Sequence, residues 1–98
     1  MRLVLQFDVD ADIIDVPQSV INKKDILSEK FLDWLYNKHN NHKYWIKTNG
    51  GKKSGVCYRS DAFIEWLNKK ICVESGQKAT LLSEYVDSYP DNLPTLYF

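Results

Sequence analysis

The sequence predicts an α+β fold in which two to three helices pack on one face of a small, mostly antiparallel sheet, in the order β(β)-α-β-β-α-α. Three patterns lead to this prediction: an alternation of apolar and polar residues at the N terminus, an Asn-Gly hairpin signal, and two segments with helical spacing of apolar residues. A chain of 98 residues is long enough for one core, because a domain of this size buries roughly 60 to 70% of its unfolded surface. We therefore expect residues 1–98 to form a single globular domain.

The composition is that of a compact globule and not of a disordered segment, with 44% hydrophobic, 13% aromatic and 27% charged residues. No apolar run approaches the roughly 20 residues of a membrane helix, and the N terminus turns polar at Gln6, too early for a signal peptide. We expect a cytoplasmic protein with no membrane partner. Cys57 and Cys72 are expected to be reduced and partly buried, with a disulfide between them as the alternative.

The N-terminal third is predicted to begin with extended chain. Apolar residues alternate with mostly polar ones over Leu3–Val9, which is the period of a strand with one buried face. A second extended piece is expected over Asp12–Val16, because the residue before Pro17 is pushed away from helical angles. The stretch Gln18–Lys24 is either one helical turn or a loop.

Two helices are predicted from a pattern that occurs twice, Ser-acid-x-Phe-aliphatic-acid-Trp-Leu-x-x-Lys, over Ser28–Lys38 and Ser60–Lys70. Acids in the first turns and a late Lys suit the helix dipole. Asp25 or Ser28 is the expected cap of the first helix, which should stop near His39. The repetition has two explanations, an ancestral duplication or the common requirements of amphipathic helices. The inward residues are predicted to be Leu27, Phe31, Trp34 and Leu35 in the first helix, and Phe63, Trp66 or Ile64, Leu67 and Ile71 in the second.

A β-hairpin is predicted between the two helices, because Asn-Gly separates the strand-like runs Tyr44–Thr48 and Gly55–Arg59. After the second helix, apolar residues at helical spacing predict a third helix over Gln77–Ser88, ending before Pro90. The apolar tail Leu93–Phe98 should be docked, either on its own domain or on a partner, because exposed apolar surface costs about 25 cal/mol per Å².

The charge is distributed unevenly although the formal net charge is zero. No acid occurs from Trp34 to Ser60, and this run contains the basic β-hairpin. Lysines beside aromatic residues are typical of a surface that binds phosphates and stacks on bases, or of a surface for an acidic protein. The alternative is a solvated hairpin whose lysines protect an edge strand. The residues of this hypothetical nucleic-acid or acidic-partner site are Lys43, Tyr44, Trp45, Lys47, Lys52, Lys53 and Arg59.

Acidic residues occupy both ends of the chain. Asp8, Asp10 and Asp12 would share one face of an extended strand, and three carboxylates so placed can bind a hard cation such as Mg²⁺. The alternative is a solvated acidic face. No cofactor is predicted, since no phosphate-binding glycine loop with the required spacing is present. The acids of the two ends are Asp8, Asp10, Asp12 and Asp15, and Glu74, Glu84, Asp87 and Asp91.

The aromatic content points to association with another protein. Three tryptophans and six tyrosines exceed what one small core requires, and these residue types are enriched in interfaces. We therefore expect a non-enzymatic protein-interaction module, with a homodimer as one form of this association. Nucleic-acid binding through the Tyr44–Arg59 hairpin is the second hypothesis, and a metal-assisted enzyme using the N-terminal acids is the third. The predicted interface residues are Tyr89, Leu93, Leu96, Tyr97 and Phe98.

Overall fold

A computed structural model describes residues 1–73 and 76–98 of the chain, and within them it contains a four-stranded sheet, a two-stranded hairpin and three helices. This α+β architecture confirms the predicted fold class. Glu74, one of the predicted acidic residues, lies outside the described residues. The elements are β1 (Arg2–Gln6), β2 (Ala11–Asp15), α1 (Gln18–Asn22), α2 (Lys24–Tyr36), β3 (Trp45–Lys47), β4 (Lys53–Val56), α3 (Ser60–Trp66) with a π-helical turn (Leu67–Ile71), β5 (Thr80–Val86) and β6 (Thr95–Tyr97).

The four-stranded sheet has the order β5-β2-β1-β6, in which only β6 runs parallel to its neighbour. The first strand ends earlier than predicted because Asp8 and Val9 form the turn between β1 and β2. This turn is closed by a hydrogen bond of 2.8 Å from the Phe7 N–H to the Asp10 carbonyl. Cross-strand neighbours share a face, so the pairing of Leu3 with Ile14 directs both side chains to the same side of the sheet.

The core lies between this sheet and the helices, with the ring of Phe31 at its centre. The ring of Phe63 is 5.1 Å away, that of Trp66 is 5.8 Å away and that of Phe98 is 5.9 Å away, measured between centroids. Phe31 and Phe63 hold equivalent positions in the two repeated segments, so both copies contribute to one core. The fully or nearly fully buried hydrophobic residues of the cluster include Leu3, Leu5, Ile14, Val20, Phe31, Leu35, Phe63, Leu67 and Leu96.

The ends of the helices differ from the prediction. α2 begins at Lys24 with no side-chain cap, so the expected cap at Asp25 or Ser28 is wrong. The reason is that α1 leads almost directly into α2, leaving Ser28 inside the helix. α2 ends at Tyr36, where the Asn40 amide donates to the Trp34 carbonyl at 2.9 Å.

α3 and its π-helical turn, which form the second predicted helix, bury Trp66 and Leu67 as predicted, but Ile71 is 39% exposed. The last turn is π-helical, and the wider turn shifts the positions that follow out of the inward stripe. No helix in the described part of the chain is long and apolar enough to cross a membrane.

The predicted third helix is wrong, because Thr80–Val86 forms strand β5 against β2. The apolar spacing in this segment fits a helix, yet the backbone groups along the outer edge of β2 need hydrogen-bond partners. Pairing with β2 supplies them, and tertiary contacts override a weak local preference. The apolar side chains of the segment remain largely at the surface, with Leu81 41% and Leu82 50% exposed.

The C-terminal tail docks on its own domain, which is the first of the two predicted alternatives. β6 pairs with β1, Leu96 is only 4% exposed and the Phe98 ring stacks on Phe7 at 5.7 Å. Of the predicted interface residues, Tyr97 is 75% exposed, whereas the Tyr89 hydroxyl donates to Gln6 at 2.8 Å. Leu93 is half-buried.

Replacing Leu96 by Ala should lower the free energy of unfolding by about 2 to 5 kcal/mol, because a buried Leu leaves a cavity when truncated. Tyr97→Ala is the matched control on the same strand, and its cost should stay below about 1 kcal/mol. Urea denaturation of the two variants and the wild type measures both values. Equal losses would contradict the docking of the tail through Leu96.

Candidate functional site

A cleft of about 550 Å³ lies between β5, the start of α3 and the residues that lead into the β3–β4 hairpin. Its wall on the sheet side includes Leu81 and Tyr85, and its opposite wall includes Tyr44 and Ile64. These residues come from separate parts of the chain. The hairpin and α3 are brought to β5 by an ion pair at the base of the cleft.

This ion pair joins Arg59, directly before α3, to two carboxylates at the start of β2. Arg59 Nη2 donates to Asp12 Oδ1 at 2.7 Å and forms an ion pair with Asp10 Oδ1 at 2.9 Å. The guanidinium also lies 4.6 Å from the ring centroid of Phe7 and 4.3 Å from that of Tyr85. Arg59 is therefore held by charge on one side and by aromatic faces on two others.

Asp12 is the buried member of the pair, with a side chain only 1% exposed. Burial by itself would raise the pKa of this carboxyl group, but hydrogen bonds from Arg59 and from the backbone N–H groups of Ser60 and Tyr85 outweigh it. The pKa of Asp12 therefore lies below its ordinary value. The same hydrogen bond raises the pKa of Arg59, so both groups stay charged at neutral pH.

Tyr85 adopts an unusual backbone angle at this point, with φ of 55°. Two register shifts in the pairing of β2 with β5 place seven β5 residues against five β2 residues, so β5 is bulged. The bulge turns the Tyr85 N–H to Asp12 Oδ1, at 3.1 Å. A positive φ at a non-glycine residue costs on the order of 1–3 kcal/mol, which the bond to Asp12 and the contact with Arg59 offset.

The opposite wall is held by Tyr44, which is 6% exposed and whose hydroxyl donates to Glu65 Oε2 at 2.7 Å. Burial and this hydrogen bond raise the pKa of Tyr44. The same hydrogen bond lowers the pKa of Glu65. Burial acts in the opposite direction, but Lys69, at 3.0 Å, lowers the pKa further. Glu65 is thus ionised and fixed in position.

Two further acids line the cleft. Asp61 Oδ1 accepts the backbone N–H groups of Arg59 at 3.1 Å and Ala62 at 2.8 Å. Glu84 is exposed, and its carboxylate has no hydrogen bond or ion pair to any other residue that the structure describes. Among the residues that the structure describes, the lining holds four carboxylates and two cations, so the cleft is acidic. These lining charges are Asp12, Asp61, Glu65, Glu84, Lys43 and Arg59.

The cleft lining contains a thiol and an aliphatic hydroxyl. Cys57 and Ser60 line it, but no histidine does among the described residues. His42 is held at the base of the hairpin, where Nε2 lies 2.8 Å from the Leu35 carbonyl and Nδ1 accepts the Tyr44 N–H at 3.2 Å. A thiol or hydroxyl in this cleft therefore lacks the adjacent imidazole base that activates a nucleophile.

The residues of the predicted basic site are divided between the cleft and the hairpin. Tyr44, Arg59 and Lys43 line the cleft, and Lys43 is exposed there. Lys47 and Lys52 are exposed on the hairpin, away from the cleft lining. The structure thus does not place the seven residues on one continuous surface.

The last two residues of the predicted basic site, Lys53 and Trp45, stabilise the hairpin itself. The Lys53 amine donates to the Lys38 carbonyl, and to Asn41 Oδ1 at 2.7 Å. Trp45 donates from Nε1 to the Asn40 carbonyl at 2.7 Å, and its ring stacks on His42 at 5.0 Å. Both side chains therefore hold the hairpin against the end of α2.

The three acids considered for a metal do not converge. Asp8 is exposed in the turn after β1, while Asp10 and Asp12 contact Arg59. Within residues 1–73 and 76–98, no group of three or more His, Cys, Asp or Glu side chains has the arrangement of a metal site. The guanidinium occupies the position between two of these carboxylates that a cation would need.

Sequence reasoning missed most of the cleft. Asp61 and Glu65 are four residues apart on α3, a spacing that places both on one helix face and was available as a signal. The positions of Leu81 and Glu84 in the cleft could not be predicted, because the apolar residues of their segment have the spacing of a helix. Comparison of the chain with protein-family models, with curated proteins and with solved structures gives no match.

Asp12→Asn should lower the free energy of unfolding at neutral pH by about 3 kcal/mol, since it breaks a buried charge pair. The substitution should also reduce the stability that the protein loses on acidification. The folded pKa of Asp12 is lowered, so its stabilisation is present above the unfolded pKa of about 3.9 and is lost as the pH falls through the folded value. The variant has no such contribution to lose.

Urea unfolding at about pH 6 and about pH 2.5, on either side of the unfolded carboxyl pKa, measures this difference. Asp33→Asn, at an exposed position of α2, is the control. Between these two pH values it should lose as much stability as the wild type. An Asp12→Asn variant with the acid sensitivity of the wild type would rule out the role given to this carboxylate.

Proposed function

We propose that the chain is a non-enzymatic protein-interaction module that binds its partner at the cleft beside β5. The observation that carries this proposal is the cleft itself, with walls held by hydrogen bonds and with exposed apolar residues beside it. Leu81 and Tyr85 are 41% and 59% exposed, and both line the cleft together with Glu84. A partner would cover this surface.

The composition of the cleft supports a protein as the partner. Tyrosine and arginine are the residue types most often found at the centre of protein interfaces, and the cleft contains Tyr44, Tyr58, Tyr85 and Arg59. The ring of Tyr85 and the side chain of Arg59 are already in contact. Groups ordered before binding lose little conformational entropy when the complex forms.

The bulges of β5 favour insertion of a side chain over the addition of a partner strand. β5 is an edge strand, and an open edge can accept an extended peptide. Strand addition needs a regular row of backbone groups, whereas β5 carries two register shifts against β2. We therefore place the main contact in the cleft and not along the backbone of β5.

A second copy of the chain is the other form of association that the sequence suggests. Much of the predicted tail interface is used inside the domain, since Leu96 is buried in the core and Phe98 packs against it, although Tyr97 is exposed. Self-association would therefore use the same cleft. Sedimentation of the wild type and of a cleft variant distinguishes a homodimer from a complex with another protein.

Nucleic-acid binding remains a second candidate because Lys43, Lys47 and Lys52 are exposed. The rings of Tyr44 and Trp45 are packed against other residues, so binding would use phosphate contacts and not base stacking. Such binding weakens steeply with salt.

To test protein binding, a library of random short peptides displayed on phage is selected on the immobilised chain. Leu81→Lys places a long charged side chain in the cleft wall and should weaken the selected peptides by about tenfold or more. Ile26→Lys is the matched control, because Ile26 is 57% exposed on α2 and does not line the cleft. Fluorescence anisotropy with labelled peptides measures both. No enrichment, or equal binding to Leu81→Lys and the wild type, would overturn the proposal.

To test nucleic-acid binding, a labelled single-stranded oligonucleotide is titrated at several salt concentrations. If the hairpin binds phosphates, the double variant Lys47→Glu with Lys52→Glu should lose affinity and reduce the salt slope by about 2, one for each lost contact. Lys30→Glu with Lys70→Glu makes the same charge change at exposed positions of α2 and of the π-helical turn. Equal affinities of the two double variants would remove this candidate.

A further inference from the structure

We infer that the partner's anchor in the cleft is a lysine or arginine side chain carried by a segment of polypeptide. This inference rests on the proposed function and specifies its ligand. It follows from three features of the cleft: the charge that remains uncompensated, the fixed position of the carboxylates and the apolar walls beside them.

The first feature is the charge balance. Arg59 is compensated by Asp12 and Asp10, at 2.7 and 2.9 Å. The remaining cation in the lining is Lys43, whose ammonium lies 5.4 Å from the ring centroid of Tyr44. Three further carboxylates line the cleft: Glu65 is paired with Lys69 at 3.0 Å, whereas Asp61 and Glu84 have no ion pair among the described residues. An incoming cation would therefore be attracted, and an incoming anion would be repelled.

The second feature is that two of these carboxylates are held in place. Asp61 uses Oδ1 for two backbone N–H groups, and Glu65 is fixed by Tyr44 and Lys69. A carboxylate has about four acceptor positions, so each retains capacity for further donors. Glu84 adds a carboxylate with no partner among the described residues. Hydrogen bonds between ionised groups are roughly twice as strong as neutral ones.

The third feature is the apolar surface next to these acids. Leu81, Ile64 and Tyr58 line the same cleft. Lysine and arginine combine an apolar stem with a charged end, and they commonly lay the stem on apolar surface while the charge stays near polar groups. An apolar side chain would bury the free acceptor positions of these carboxylates without a donor, and an acidic side chain would meet like charge.

The test compares phage selections on the wild type, on Asp61→Asn with Glu84→Gln, and on Glu29→Gln with Asp33→Asn. The second pair makes the same charge change at exposed positions of α2, away from the cleft. The wild type and the α2 variant should select peptides enriched in Lys or Arg, and the cleft variant should lose this enrichment. Both substitutions in the cleft keep the side-chain volume and an acceptor oxygen.

A double-mutant cycle then measures the contact directly. Replacing the enriched basic residue of a selected peptide by Gln should weaken binding to the wild type by about tenfold. The same replacement should change binding to the cleft variant by no more than about twofold. Fluorescence anisotropy at low and moderate salt gives both ratios, and the wild-type ratio should fall as salt rises.

The outcomes separate this inference from the function on which it rests. Selected peptides that bind at the cleft without a basic residue, or equal ratios for the wild type and the cleft variant, overturn the inference and leave the protein-interaction module standing. Absence of any selected peptide overturns both. A wild-type dimer in sedimentation that the cleft variant dissociates, without basic peptides among those selected, identifies a second copy as the occupant and also overturns it.

Discussion

The ion pair between Arg59 and Asp12 is the interaction on which the arrangement of the cleft depends. A carboxylate that is 1% exposed requires compensation, and Asp12 obtains it from a guanidinium and two backbone N–H groups. These donors belong to the segment before α3, to α3 itself and to β5. One buried charge therefore fixes the relative positions of three elements, and the space between them is the cleft.

The backbone of β5 is adapted to this ion pair at a cost in regularity. Two bulges and the positive φ of Tyr85 bring its N–H to Asp12 and its ring to Arg59. A regular strand would have offered a more even edge for pairing with other chains. The bulges make that edge a poor template for strand addition, while the side chains of Leu81 and Tyr85 become walls of the cleft.

The remaining elements form the support for this site. Phe31 and Phe63, from the two repeated segments, meet in the core and hold α2 and α3 over the sheet. The hairpin is attached to the end of α2 through Lys53 and Trp45, so part of its basic character serves the fold. Tyr44 directly precedes β3, so the attachment of the hairpin also positions Tyr44. Its hydroxyl donates to Glu65 and completes the wall opposite β5.

The sequence alone determined the α+β class, the first two strands, α2, α3 and the hairpin, because each depends on local apolar spacing or turn chemistry. It predicted a docked tail, but only the structure shows that the tail docks on its own domain. The tertiary structure decided β5, since the demand of the β2 edge for partners does not appear in the spacing of residues 80–86. It also decided that Arg59 pairs with both Asp10 and Asp12, although the sequence pattern places Arg59 in the basic site and the two acids in the metal site. A contact between residues 47 positions apart is set by packing and not by local pattern.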